Sequence, residues 1–356
     1  MTVKREGLFL DWLEFTYKPN CERDCDLFAE FCRDFPEIEK LIYSDGCVLL
    51  DKGMNGYTFV FAYTDEFKVL YNPDLLRQGV HVIFNGAGMY RLCDLFHLES
   101  VNNFASVQSL FQRLEKKSCR PTRLDVCFDD YDKVYQPSDF NYFMITHRLL
   151  SKFRQWSFIG SQQTQGHTFY LGSRAAGRYL RIYDKDYESK GKIKSIRYEF
   201  ELRGDFCRAF FNQVISGQKF SFGEMISSMF QVVNEYEYDV NISYAANASR
   251  KRDAGIDEKW SNFVKSHVLR NVLHVDKEKH DVSLERVYSW ADQQLLPSLY
   301  ILYRSLGWEE FQHFIESGRY RLNNEQQAML SKYIDEVSSG WRYDVNPDSY
   351  SEPYYD

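Results

Sequence analysis

Proline is scarce in this sequence, 8 residues in 356, and no apolar run is long enough to cross a membrane. The first scarcity leaves room for long uninterrupted strands and helices, and the second excludes a membrane-spanning chain. The 8 cysteines contain no CxxC pair. Cys21, Cys25 and Cys32 can share a helix, but no second pair or histidine cluster completes a zinc site. The 8 histidines form neither His-x-His nor HExxH, so a histidine-held metal is not indicated. "FNGAG" around Gly86 and Gly88 is neither a Walker loop nor a full GxGxxG, and reads as a glycine turn. The basic start "MTVKREGLFLDWLEF" is broken by Asp11 and Glu14 and is no signal peptide, so a cytoplasmic protein with reduced, buried thiols is expected. Positive charge is not in excess either. Net charge is -7, and any nucleic-acid role must rest on local patches.

What is present is aromatic and apolar. With 28 Phe, 26 Tyr and 44% hydrophobic residues, the chain has ample material for a large core. "LFLDWLEFTYK" reads as a strand, "CDLFAEFCRDF" as an amphipathic helix, and "YTFVFAYTD", "FKVLYN" and "GVHVIFNGAG" as strands. "SVQSLFQRLEKK" then closes a strand-helix-strand unit. A second unit opens at "TRLDVCFDDYD". It continues through the helix "SDFNYFMITHRLLSKF", the strands "HTFYLGS", "RYLRIYDK" and "IRYEFELR", and the helices "DFCRAFFNQVIS" and "FGEMISSMFQVV". The two units run in the same order, with Asp11 and Asp125 at comparable places.

The expected architecture is α+β: a mainly antiparallel sheet with helices packed on one face, plus a helical C-terminal region. Residues 1–245 form the catalytic domain, with sub-units 1–118 and 119–245. "NISYAANASRKRDAG", residues 241–255, reads as a polar linker. Residues 246–340 are helical, with Ser283 as a cap and Pro297 splitting or kinking a long segment. Residues 341–356 form an acidic tail.

Three predicted strands share one design. Arg123, Asp125, Cys127 and Asp129 alternate with Leu124, Val126 and Phe128. Tyr179, Arg181, Tyr183 and Lys185 alternate with Leu180 and Ile182. Arg197, Glu199, Glu201 and Arg203 alternate with Tyr198, Phe200 and Leu202. Period-two alternation puts apolar sides on helices and polar sides on one shared, partly solvated surface. Cross-strand Arg–Glu pairs are also ordinary decoration of an exposed sheet face. Carboxylates crowded together repel unless a cation intervenes, and hard oxygen ligands suit Mg2+ or Mn2+. The phenol of Tyr183, with an ordinary pKa of ~10, becomes a nucleophile if nearby cations favour the phenolate. Arginines would hold phosphate oxygens, and the whole would suit phosphoryl transfer.

"TFYLGSRAAGRYLRIYDKDYE" followed by "IRYEFELRG" resembles the replication initiation factor (Rep_trans) family, rolling-circle initiators with related conjugative-element relaxases. The matching segments are Tyr170 to Arg174, Arg181 to Lys185 and Arg197 to Glu199, with support from "LDWLEFTY", "GVHVIFNGAGMYRL" and "TRLDVCFDD". The resemblance implies that Tyr183 attacks a phosphodiester of one strand at an origin. A 5′-phosphotyrosine link and a free 3′-hydroxyl result, and the reverse reaction rejoins ends. It implies Asp125 and Glu199 as metal ligands, with Glu201 and Asp129 added by strand geometry. Lys185 and Arg181 would hold charge and orientation. Arg174, Arg178 and Arg197, with the basic knot Arg250, Lys251 and Arg252, are the expected DNA contacts. Origin DNA is the expected partner, with a host helicase and a second copy of the chain as further candidates and no membrane. The alternatives are a relaxase of a conjugative element, a hydrolytic metal nuclease, and a non-catalytic DNA-binding or regulatory protein.

Overall fold

The computed structural model describes residues 7–19, 26–64, 66–151, 153–160, 166–239, 241–267, 295–322 and 326–331, together with Val287, Ala291 and Ile334. Cys21, Cys25, Ser283 and the acidic tail lie outside them.

The first half runs β1 (Phe9–Tyr17), α1 (Leu27–Asp34), α2 (Pro36–Ile42), β2 (Cys47–Leu49), β3 (Phe59–Tyr63), β4 (Phe67–Tyr71), β5 (Val80–Phe84), α3 (Gly88–Phe96) and α4 (Phe104–Lys116). The second runs β6 (Cys119–Asp130), α5 (Pro137–Ile145), β7 (Leu149–Ser151), β8 (Trp156–Ile159), β9 (Thr168–Ser173), β10 (Arg178–Asp184), α6 (Lys185–Glu188), β11 (Ile196–Arg203), α7 (Gly204–Ile215), α8 (Phe222–Met229) and β12 (Phe230–Val232). Two more helices, α9 (Tyr244–Asp253) and α10 (Glu258–Ser266), complete this unit.

Ten strands form one antiparallel sheet in the order β2-β3-β4-β5-β1-β6-β11-β10-β9-β8. The order reads as two five-stranded halves placed back to back. Each half's first strand lies at the centre, its last strand beside that, and earlier strands lie outward. The shared segment order of the two units thus has a counterpart in topology, since β1 and β6 are neighbours at the seam. The α+β architecture expected from the alternation is the one observed.

Helices cover one face because the inward residues of each strand are apolar without a break. Leu124, Val126 and Phe128 on β6, Leu180 and Ile182 on β10, and Tyr198 and Phe200 on β11 are all buried in a single core. Phe111 of α4 meets Phe211 of α7 at 4.7 Å between ring centroids, and both helices pack on β6. Side chains start these helices: Asn103 accepts from Ser106 N at the head of α4, and Ser221 with Glu224 forms a capping box on α8.

Three sequence readings change. The helix expected through residue 153 ends at Ile145, since His147 takes a left-handed φ of 60°, and β7 follows. "FGEMISSMFQVV" is a helix only to Met229, and its last residues are β12, paired with β7. Residues 241–255 are no linker. Ser243 caps α9, and α10 beyond it buries Trp260 completely, with Trp260 Nε1 donating to Gln231 Oε1 at 2.8 Å. The compact unit therefore runs to Val275 rather than ending at residue 245. Polar composition hid α9, whose buried Asn247 is held by hydrogen bonds to the Asp239 backbone.

The second unit, Asp276–Asp356, contains α11 (Leu296–Leu306) and α12 (Trp308–Ser317). Pro297 sits in the first turn of α11, where its missing N–H costs nothing, directly after the π-helical Leu295. Tyr303 packs on Trp308 and Phe311 where these two helices meet. No helix among the described residues is long and apolar enough to cross a membrane.

Candidate active site on the polar face of the sheet

The three strands singled out by their alternation are adjacent, in the order β6, β11, β10. Register sets the site. Glu201 stands opposite Asp125 and Tyr179, Glu199 opposite Cys127 and Arg181, and Arg197 opposite Asp129 and Tyr183. Residues opposed in this way project to the same side. Tyr183, Arg181, Glu199, Glu201 and Asp125 are thereby brought together.

The face is less wet than its polarity suggests. Asp125 and Glu201 are each 1% exposed and Glu199 5%. Long guanidinium side chains lie over short carboxylates and exclude water. Arg123 binds Asp125 with two hydrogen bonds, Nε to Oδ1 at 2.8 Å and Nη2 to Oδ2 at 2.6 Å. Arg181 Nη2 contacts Glu199 Oε1 and lies 3.3 Å from Asp125 Oδ2. Glu201 receives Arg203 Nε at 2.6 Å and Arg174 Nε at 3.1 Å, with Arg123 at 3.6 Å.

The Tyr183 hydroxyl donates to Glu199 Oε2 at 2.9 Å. Burial, and then the charge of Glu199, push this phenol far above its usual range. Arg181 and Lys185 by themselves thus do not favour the phenolate. Lys185, expected to help, pairs with Glu188 at 2.7 Å and lies 5.7 Å from the centre of the Tyr183 ring. Glu199 is itself pushed up to about 7 by burial, against the pull of Arg181 and with hydrogen-bond contact to Asp125 adding to the rise. Two carboxyls in contact, one of them near neutrality, form a proton-accepting pair.

A divalent cation suits the donor set. Asp125 and Glu199 offer only oxygens, and Arg181 leaves the Glu199 carboxyl still raised. No group of three or more His, Cys, Asp or Glu among the described residues is arranged to hold a metal. Asp125, Glu199 and Glu201 are therefore not gathered as one three-carboxylate cage. Glu201, held by three arginines, belongs to the cationic side of the face; so does the expected ligand Asp129 belong elsewhere, bound to Arg197.

The expected DNA contacts separate. Arg197 is 1% exposed, binds Asp129 twice at 2.7 and 2.9 Å, and reaches Asp11 at 3.0 Å, so it is a structural cation. Arg178 stands opposite Leu202 on the helix-covered face, between Phe206 and Phe153, and its charge is disfavoured by burial. Lys251 is half-buried and donates to the Leu149 carbonyl at 2.5 Å. Arg174, Arg250 and Arg252 are exposed. As for "FNGAG", a Cβ at Gly88 would meet the Glu66 carbonyl oxygen at 2.0 Å, so close packing explains that glycine.

Sequence reasoning set Arg123 and Arg203 on the shared polar face by strand parity but gave them no role in the site. It also missed Trp12 and Glu14. A β-bulge between Leu10 and Trp12 sets these two on the polar face, with Trp12 opposite Asp125 and Glu14 opposite Arg123. The Arg123 guanidinium lies 4.0 Å from the centre of the Trp12 ring. Nothing in the local sequence marks that bulge.

Residues 120–317 match the profile of the family described as replication initiation factor. A curated relative, the putative DNA relaxase NicK of Bacillus subtilis (strain 168), is 22% identical over 318 residues, 85% of this chain and 86% of that protein. Among solved structures, a rolling circle replication initiator protein from Geobacillus stearothermophilus shares the fold, with a TM-score of 0.56 and 22% identity. The match covers 73% of this chain and 95% of that one.

Proposed function

The chain belongs to the replication initiation factor family, and from that premise we propose that it nicks one strand of DNA by attack of Tyr183 on a phosphodiester. The observation that carries this reading is the hydrogen bond from the Tyr183 hydroxyl to Glu199 Oε2 at 2.9 Å, on a face crowded with guanidinium groups.

In the forward step the Tyr183 proton passes to Glu199 as the phenolic oxygen bonds to phosphorus. The P–O bond to the 3′-oxygen breaks, and that oxygen takes up the proton passed on from Glu199, leaving a 5′-phosphotyrosine and a 3′-hydroxyl. Glu199 is suited to this because its carboxyl titrates near 7, within reach of both protonation states at neutral pH. The reverse step rejoins the ends by the same groups. Arg181 and Arg123 stabilise charge that develops on the phosphate oxygens. Glu201 acts by holding Arg203, Arg174 and Arg123 in place. Mg2+ or Mn2+, held by Asp125 and Glu199, would polarise the scissile phosphate when bound.

Arg174, exposed beside Tyr179, together with Arg250 and Arg252, supplies phosphate contacts outside the chemical centre, and the C-terminal helices contribute to origin recognition. The same chemistry serves plasmid replication and the start of conjugal transfer; the origin-nicking reading is preferred on the family assignment. The test is a denaturing gel of protein incubated with labelled single-stranded or supercoiled DNA from its own locus and a divalent ion. A denaturation-resistant adduct, absent in Tyr183→Phe, is expected. Cutting that persists undiminished in Tyr183→Phe would make water the nucleophile and overturn the assignment.

A further inference from the structure

The polar face does not stop at the seam between the halves. Beyond Asp125 it continues onto β1, β5 and β4, where the first half presents Trp12, Glu14, Ile83 and Lys68 in the same projection. Here the charged design is given up. Val60, Leu70 and Ile83 are buried on this side of the sheet with Trp12, Met54 and Tyr57 against them. Between this small apolar cluster and the arginines of the catalytic half lies a cavity of about 300 Å3. Trp12, Met54 and Ile83 give it an apolar wall, Arg123 and Arg203 a cationic wall, and Lys68 and Asn85 further polar groups; its two carboxylates are each paired, Glu14 with Arg123 and His81 and Glu66 with Arg91.

That composition fits one chemical class. A nucleobase needs apolar area for its faces, hydrogen-bonding groups at its edge, and cations where the attached phosphates enter. The volume lies at the small end of the range for ligand pockets, appropriate to one flattened ring system. The cationic wall is shared with the catalytic face, since Arg123 grips Asp125 and Arg203 grips Glu201. From β10, which carries Tyr183, to β1 there are three strand spacings. That is ~14 Å across the strands at about 4.8 Å each, and Arg123 and Arg203 also stand six residues along them from Arg197, the partner of Tyr183, so the path spans at least roughly two to three nucleotides.

We infer that this cavity is a base-binding pocket that takes one unpaired nucleobase of the scissile strand and so sets which phosphate lies over Tyr183. The inference rests on the nicking reading above and adds a specificity site to it. Lys68 and Asn85 meet the edge of the base, and Arg123 and Arg203 hold the phosphates on either side of it. Asn85 Oδ1 also accepts from Gly88 N at 3.1 Å, which fixes the rotamer of its side chain.

The experiment is an abasic scan. A single base is removed at each position in turn of a single-stranded oligonucleotide that forms the adduct, and adduct formation is timed with the full chain. The scan is repeated with Lys68→Ala and with Asn85→Asp, which keeps the acceptor for Gly88 N. One abasic position near the nick should slow the native protein by roughly tenfold or more. The variants should be slowed on intact DNA by a comparable factor, and lose little further at that position. A flat scan, or identical scans for native and variant proteins, overturns the pocket while leaving the nicking reading intact. Failure of the native protein to form an adduct on any strand overturns the nicking reading and the pocket with it.

Discussion

Asp11 of β1 reaches across the seam of the sheet to Arg197 of β11, Oδ2 to Nη1 at 3.0 Å, while the same guanidinium holds Asp129 with two further hydrogen bonds. One buried cation thus ties an acid of the first half to an acid of the second. Removing one member of such a group strands the others in a medium that cannot solvate them. Arg197→Ala should lower stability by about 3–5 kcal/mol, read as a drop in the midpoint of thermal or denaturant unfolding.

Arg174 offers the contrast. Its side chain is 59% exposed, and the buried Glu201 carboxylate it meets keeps Arg203 and Arg123 as partners without it. Arg174→Ala should change stability by no more than about 1 kcal/mol. It should weaken DNA binding and reduce the slope of log affinity against log salt, as loss of one phosphate contact does. Anisotropy titrations at several salt concentrations separate the two arginines.

Tyr183→Phe removes the hydroxyl that donates to Glu199 and leaves the ring in place. The expected result is complete loss of the covalent adduct with DNA affinity retained, measured on a denaturing gel and by anisotropy on the same preparation.

The pH dependence of Glu199 has a definite sign. Its carboxyl is raised from an ordinary 4.5 to about 7 in the folded chain, so the native state favours the protonated form. That contribution to stability is fully present below pH ~4.5 and is lost as pH rises through about 7. Glu199→Gln imitates the protonated form. In chelator, its unfolding midpoint should gain on that of the native protein as pH is raised from 5 to 8, and adduct formation should be lost.

Removing divalent ions should abolish adduct formation, with restoration by Mg2+ or Mn2+. In Asp125→Asn the metal concentration needed for half activity should rise at least tenfold, as measured by adduct yield against metal concentration.

Much of the catalytic half was legible because it obeys a simple period. Arg181 and Tyr183 had to share a side, as did Glu199 and Glu201, and the apolar residues between them required helices opposite. Register was not legible. That Tyr183 pairs with Arg197 and Arg181 with Glu199 depends on how the connection through α6 returns the chain from β10 to β11, where Gly191 takes a left-handed φ of 83°. Arg178 shows the cost: expected as a DNA contact, it is one residue out of phase with Arg181 and Tyr183 and falls among phenylalanines. The part played by Trp12 was hidden for a different reason, since a bulge in β1 shifts the phase within a strand whose sequence gives no sign of it.

The strand order has one more consequence. A two-fold dimer of five-stranded sheets, joined edge to edge through its first strands, would give the same order as β2-β3-β4-β5-β1-β6-β11-β10-β9-β8. In such a dimer any substitution would appear twice. Joined in one chain, the halves are released from that symmetry: one side of the platform can hold Glu199 and Tyr183 while the other is free to become Val60, Leu70 and Ile83.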